Sequence, residues 1–361
     1  MKFLALPAVS IRGRRVDKFA AALVLIGGII FSLLVPSLVH REAGPDALTL
    51  WASYSRADNC DFWSPFSGSR SSYECTAYIL RPTGINLDNA WIYGGLCNFL
   101  LIFLPITFFK RIPISIFLTM VAWTVIRGFF LENLTKEIIV GATVIAMLIG
   151  ARGRFAPIAV ISIAALYGIA IRPYWVLVAA AALGLIIVRK HLTRTRFFLL
   201  LPLLYVVIAI AISLVLGMTM TGFRQASNEM RILGEEGSRT LIMSVLNGTD
   251  IISQALDTSI IFFRLLFPIE VIILSGPHQL VFTATSSYTA VYLLRAFLSN
   301  HPVPRSALPC LAFSTSFLVV QAVFEPDFGS FARHFSMVAP IAFCGIGAWL
   351  REKDAPKSAA I

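Results

Sequence analysis

The segment FEPDFGSFARH, residues 324–334, places two carboxylates, an arginine and a histidine between two apolar runs, 306–324 and 335–350. Hydrocarbon tolerates charge poorly, so charged residues at the end of an apolar helix are retained for pairing or for function. Each flanking run approaches the length that a helix needs to cross a bilayer. The segment therefore predicts two consecutive membrane helices joined by a functional polar turn.

The composition extends this prediction to the whole chain. Of the 361 residues, 57% are hydrophobic and 14% are charged, whereas a soluble protein carries about 25% charged residues. Apolar runs recur from one end of the sequence to the other, and a single hydrophobic core cannot absorb them all. We therefore expect an all-α, polytopic integral membrane protein that forms one transmembrane domain over residues 1–361.

The Lys and Arg residues set the expected topology, because cytoplasmic loops of membrane proteins carry an excess of both. They cluster at alternate ends of the apolar runs, which predicts ten spans with both termini inside. The net charge of +11 is spread over these ends, so it indicates topology signals and contact with membrane lipid, and not a nucleic-acid-binding patch. The predicted spans are 19–39, 90–109, 112–130, 138–150, 155–171, 176–188, 197–217, 280–298, 306–324 and 335–350.

Two long segments are expected on the external side. Residues 40–89 contain Cys60 and Cys75, which are able to form a disulfide if this loop faces an oxidising compartment. Residues 218–279 mix polar and apolar residues, which favours helices that lie on, or dip into, the outer leaflet.

The external side also collects basic residues, where the positive-inside rule disfavours them. Pairing with carboxylates close in sequence is one explanation, but the Arg and Lys residues outnumber such partners. The alternative is an anion site, because the guanidinium fork suits phosphate oxygens. No Cys/His spacing typical of a metal site is present. The candidate residues for binding a substrate pyrophosphate are Arg127, Lys136, Arg172, Tyr174, Arg264 and Arg333.

A substrate with a pyrophosphate and a lipid tail would bind where an external cavity meets the membrane. Glu325, Asp327 and His334 are then candidate catalytic groups that take the acceptor proton as a glycosidic bond forms. Basic residues stabilise the charge on the leaving pyrophosphate. Five external aromatic residues have two interpretations: they stack against sugars, or they form an aromatic belt at the membrane–water interface. They are Trp51, Trp63, Tyr73, Tyr174 and Trp175.

Three short motifs resemble those of the Wzy/EpsG-like bacterial polysaccharide repeat-unit polymerases. Thr135-Lys136-Glu137 resembles their Ser-Lys-Asp element, and Arg172-Pro173-Tyr174 resembles the Arg-Pro-aromatic step that follows it. The segment 327–340, with Asp-Phe-Gly-Ser, Arg-His and a later Pro, resembles their Asn-x-Gly-Thr…Arg-His…Pro segment. Order and spacing agree over roughly residues 90 to 350.

The resemblance implies a metal-independent glycosyltransferase with no cofactor, in the bacterial cell inner membrane. Such an enzyme joins undecaprenyl-pyrophosphate-linked oligosaccharides at a periplasmic active site during O-antigen or exopolysaccharide synthesis, with a flippase and a chain-length regulator as candidate partners. Lys136, Arg172 and Arg333 become pyrophosphate or glycan contacts. Asp327 stands where the family more often has Asn, so whether Asp327 or Glu325 is catalytic stays open.

Three other functions are alternatives. A glycosyltransferase that uses a polyprenyl-monophosphate sugar often has an acidic pair in its first external loop, as Asp58 and Asp61 provide here. A membrane O-acyltransferase needs a set of His or Arg residues that receives an acyl donor from the cytoplasm, and the inner face offers only His191 as a candidate for such a set. A non-enzymatic transporter or flippase of lipid-linked glycans favours inverted repeats, and none is visible.

Overall fold

The computed structural model describes residues 15–38, 45–55, 60, 72–217, 219–233, 240–246, 248–275, 279–300 and 303–353. This part of the chain is almost entirely α-helical, which confirms the all-α fold class. Four helical segments within these described ranges are long and apolar enough to cross a membrane. They are Ile114–Leu131, Tyr174–His191, Arg194–Leu214 and Phe328–Lys353.

Fifteen α-helices and two short 3₁₀ helices (Arg81–Thr83 and Arg189–His191) are described, together with one short antiparallel pair of strands, β1 (Arg15–Val16) and β2 (Ile112–Pro113). The helices are α1 (Lys18–Leu38), α2 (Pro45–Tyr54), α3 (Ser72–Leu80), α4 (Ala90–Ile106), α5 (Ile114–Leu131), α6 (Glu137–Gly150), α7 (Ala156–Ala170), α8 (Tyr174–Val188), α9 (Arg194–Leu216), α10 (Met220–Leu233), α11 (Ile251–Leu266), α12 (Ile269–Ser275), α13 (Leu280–Phe297), α14 (Leu308–Phe324) and α15 (Phe328–Lys353).

The helices follow the apolar runs, and each of the ten predicted spans coincides with one helix: α1, α4 to α9, and α13 to α15. Polar caps set several boundaries. The Thr193 side chain accepts a hydrogen bond from Arg196 N at the start of α9, and Gly217 ends that helix at φ 65°. A left-handed backbone at a helix end favours glycine, which has no Cβ to clash. Several of the ten helices are shorter than 18 residues, so ten crossings stay a prediction.

Helices α14 and α15 form the centre of the bundle. Every residue from Pro309 to Val323 is buried, and α15 is buried along most of its length. Helix α14 packs on α8, α11 and α15, while α15 also packs on α4, α5 and α6. The polar turn at residues 325–327 therefore lies at one end of the most enclosed hairpin in the described fold.

Contacts between distant segments define the two ends of the bundle. At one end β1 pairs with β2, and Arg189 donates a hydrogen bond to the Ser299 carbonyl. At the other end Arg172 contacts Glu137. The 15 residues of α8 separate Arg172 from Arg189 by about 22 Å at 1.5 Å per residue. Residues predicted to share a side of the membrane are thus neighbours in space at these contacts.

Each of the two predicted external segments contains helices. Helices α2 and α3 pack together, and Cys60 is joined to Cys75 of α3 by a disulfide with Cα atoms 5.0 Å apart. In the segment 218–279, α11 packs against α9 and α14. A buried ion pair between Arg224 and Asp257, 2.9 Å apart, fixes α10 to α11.

Candidate functional site

A cavity of about 1080 Å³ lies between α8, α9 and α14 and reaches the polar turn at the start of α15. Its two parts differ in chemistry. One end is polar, and the remainder is lined mainly by aliphatic side chains of the three helices. The polar end is formed by Ser72, Lys136, Arg172, Tyr174, Gln321, Glu325, Ser330, Arg333 and His334.

Glu137 organises the cationic side of this polar end. Its Oε1 atom lies 3.0 Å from Arg172 Nη2 and 3.5 Å from Arg333 Nε. The carboxylate is fully buried at the first residue of α6, whereas the Arg333 side chain is 22% exposed. One carboxylate thus faces two guanidinium groups, and this part of the cavity keeps a net positive charge.

Lys136, the residue before α6, contacts the external helix α3. Its Nζ lies 3.6 Å from the centroid of the Tyr73 ring and 3.3 Å from Ser72 Oγ. A cation over an aromatic face is attracted by the ring quadrupole. The disulfide-linked segment is therefore held against the cationic end of the cavity, and Ser72 contributes to its lining.

Pro173 directs the chain from the Arg172 turn into α8. Arg172 Nη1 donates a hydrogen bond of 3.3 Å to the Tyr174 hydroxyl, which orients both side chains. The Tyr174 ring stacks on Phe324 with centroids 5.9 Å apart and lies 6.4 Å from the His334 ring. The Arg-Pro-Tyr sequence is therefore part of the cavity wall.

The other predicted sugar-stacking aromatics lie elsewhere. Trp175 is buried, with its ring 4.6 Å from that of Tyr167, so it packs the bundle. Trp51 is exposed on α2, Tyr73 packs under Lys136, and Trp63 lies outside the described residues. Among the candidates that the structure describes, only Tyr174 lines the cavity.

His334 and Glu325 form a hydrogen-bonded pair. His334 Nδ1 lies 3.0 Å from Glu325 Oε2, while Glu325 Oε1 is buried with no hydrogen-bond partner among the described residues. Burial by itself raises the pKa of Glu325, but the neighbouring His334, Ser330 and Arg333 outweigh burial and lower this pKa below its usual value. Glu325 is therefore ionised at neutral pH.

Asp327, one of the predicted catalytic groups, caps the start of α15. Its Oδ1 accepts a hydrogen bond of 2.7 Å from Ser330 N, as the N-terminal cap of α15, and its backbone forms a bridge with Leu241. A Cβ atom on Gly329 would lie 3.0 Å from the same oxygen, so the close turn favours glycine. Asn and Asp are both good caps, which explains the Asn/Asp-x-Gly pattern. Asp327 does not line the cavity, and Glu325 is the carboxylate that does.

Arg127 and Arg264 do not contribute to the cavity lining either. Arg127 is buried; its Nε donates to Asn98 Oδ1 at 2.7 Å and its Nη1 to the Ser336 carbonyl at 3.1 Å, so it links α4, α5 and α15. Arg264 forms a 2.7 Å ion pair with Glu270 and donates to the Met243 carbonyl. These contacts join helices of the bundle, and substrate binding by either arginine stays a prediction.

Two residues of the site had no assigned role in the sequence-based prediction. Glu137 was recognised only as part of a motif, although it is the shared partner of two arginines. Gln321 is a polar residue within an apolar run, which is a signal for function in a membrane helix. Among the described residues, no group of three or more His, Cys, Asp or Glu side chains is placed to hold a metal ion.

No protein-family model, curated protein or solved structure matches the chain. The cavity and its charged residues are therefore the basis for assigning a function.

Proposed function

We propose that the protein is a membrane glycosyltransferase that joins lipid-pyrophosphate-linked oligosaccharide units at the periplasmic face of a bacterial inner membrane. A single observation carries this proposal: one cavity joins a cationic end, an acid–base pair and a long apolar groove. We also propose that the chain crosses the membrane ten times and that the polar end of the cavity lies outside. The predicted external residues cluster in space, which agrees with this topology.

The apolar groove suits a polyprenyl tail. Its lining follows α8 from Tyr174 to Val188 and the antiparallel α9 from Phe197 to Ile212. The groove is open at Gly184, where an added Cβ atom would meet no atom within 4 Å. An isoprenoid chain is a flexible hydrocarbon, and its burial against aliphatic side chains removes apolar surface from contact with water.

The cationic end suits the pyrophosphate. Arg172 and Arg333 present guanidinium groups that Glu137 holds in place and only partly neutralises. Charge-assisted hydrogen bonds from Arg to phosphate oxygens combine strength with defined geometry. The same groups stabilise the negative charge that develops on the pyrophosphate as it leaves.

The acid–base pair suits the acceptor. With its Nδ1 directed to ionised Glu325, His334 is oriented to accept a proton at Nε2. The acceptor hydroxyl attacks the anomeric carbon of the donor and passes its proton to His334 as the new glycosidic bond forms. The bond from that carbon to the pyrophosphate oxygen breaks, and lipid pyrophosphate departs with the electron pair.

Reconstitution in nanodiscs with an undecaprenyl-pyrophosphate-linked oligosaccharide tests the proposal. Wild type is expected to give a glycan ladder and free undecaprenyl pyrophosphate, and Arg333→Ala is expected to give neither. Arg264→Ala is the matched control, since Arg264 lies outside the cavity in a partly exposed ion pair. Normal chain lengths from Arg333→Ala would refute the assignment. Lipid binding without product would favour a transporter, and turnover only with a polyprenyl-monophosphate sugar would favour that other class of glycosyltransferase.

A further inference from the structure

Gln321 is a buried polar side chain that the described protein leaves unsatisfied. The residue is 1% exposed and belongs to the cavity lining, and its Nε2 is buried with no hydrogen-bond partner among the described residues. A buried donor without a partner costs about 1–3 kcal/mol. Each such group requires an explanation, and a ligand that accepts the hydrogen bond is one.

The position of Gln321 indicates which part of a ligand it meets. It precedes Glu325 by four residues on α14, which places it one helical turn, about 6 Å, deeper in the cavity. Its neighbour Val320 belongs to the apolar lining of the groove. Gln321 thus lies where the cationic end passes into the groove, and a lipid phosphate has its tail-proximal phosphate at that junction.

We propose that Gln321 Nε2 donates a hydrogen bond to the phosphate nearest the lipid tail and so binds polyprenyl phosphates. The inference rests on the proposed function, and it names the group that fixes the lipid end of the substrate. A primary amide carries two N–H donors and no charge. It therefore recognises a phosphate oxygen without adding to the repulsion between Arg172 and Arg333.

The test compares Gln321→Leu with wild type in the full-length protein, with undecaprenyl monophosphate as the probe. We expect affinity to fall about tenfold, because one hydrogen bond to a charged group is lost. The ligand-free variant is expected to be more thermostable than wild type, because an unsatisfied amide is replaced by an apolar side chain of similar size. If Gln321→Leu impairs folding, Gln321→Met takes its place in the test. A residue needed only for packing would instead lose stability and keep its affinity.

Ser316→Ala is the matched control on the same helix. Ser316 Oγ is also buried without a described partner and lines the cavity five residues deeper, beyond the reach of the phosphate, so affinity is expected to stay unchanged. Undecaprenol, which lacks the phosphate, is expected to bind wild type and Gln321→Leu equally.

Three results would overturn the inference: unchanged affinity of Gln321→Leu and Gln321→Met for the monophosphate, an equal loss in Ser316→Ala, or an equal loss for undecaprenol. The binding assay needs no polymer formation, so it separates this inference from the proposed function. If the protein makes no polymer but its phosphate binding depends on Gln321, the inference about Gln321 is supported and the proposed function is refuted.

Discussion

Glu137→Gln tests whether one buried carboxylate organises the cationic end of the cavity. The Glu137 side chain is 1% exposed and that of Arg172 is 8% exposed, so their charges are almost fully removed from solvent. Removal of one partner from a buried ion pair costs about 3–5 kcal/mol, because the other charge stays buried without compensation. The Arg333 side chain is 22% exposed and is partly hydrated. We therefore expect a loss near the lower end of this range, about 3 kcal/mol.

The free energy of unfolding is measured by titration with SDS in detergent micelles. Glu270→Gln is the control, because it breaks an Arg–Glu pair whose side chains are 19% and 31% exposed. Partly exposed pairs contribute about 0–1 kcal/mol, so this control is expected to change little. Inorganic pyrophosphate is expected to stabilise Glu137→Gln more than wild type, because it supplies the missing negative charge. Equal losses in the two variants, with no added effect of pyrophosphate, would refute this account of the cavity.

Three further predictions concern separate parts of the site. Because the pKa of Glu325 is lowered in the folded protein, its charge stabilises the fold above an unfolded value of about 4.3, and this contribution is lost as pH falls through the folded pKa. Glu325→Gln is expected to weaken the pH dependence of the free energy of unfolding, measured between about pH 3 and 6, and to abolish polymer formation. An unchanged pH dependence would contradict the pairing with His334. Asp327→Ala is expected to cost about 1 kcal/mol of stability as a lost helix cap and to keep activity; loss of the ladder in a well-folded variant would restore a chemical role. Gly184→Phe is expected to block lipid binding while Gly27→Phe, also in open space, leaves it unchanged; equal binding by both would show that the tail lies elsewhere.

The helix positions could be predicted because they depend on local pattern. Apolar runs bounded by Lys, Arg, Gly and Pro locate α1, α4 to α9 and α13 to α15 without any knowledge of neighbours. The charged segment 324–334 was also identifiable, since charge between apolar runs is costly. His334 and Glu325 are nine residues apart, so their pairing was within reach of sequence reasoning.

Long-range contacts decided which residues meet at the cavity, and sequence reasoning could not establish them. Arg127 is directed to Asn98 and to the Ser336 carbonyl, which is 209 residues away in the chain. Glu137 joins Arg172 and Arg333 from two other parts of the sequence. Asp327 and Glu325 are two residues apart, and only the geometry of the turn separates the helix cap from the cavity carboxylate.

The sequence by itself determined that the chain forms apolar helices and which of their ends carry charge, because burial of apolar surface and the cost of buried charge act on each segment separately. The tertiary structure alone decided which charges share the cavity. The energy of an ion pair or a hydrogen bond depends on distance in space, and packing of α6, α8, α14 and α15 brings together groups that the chain keeps far apart.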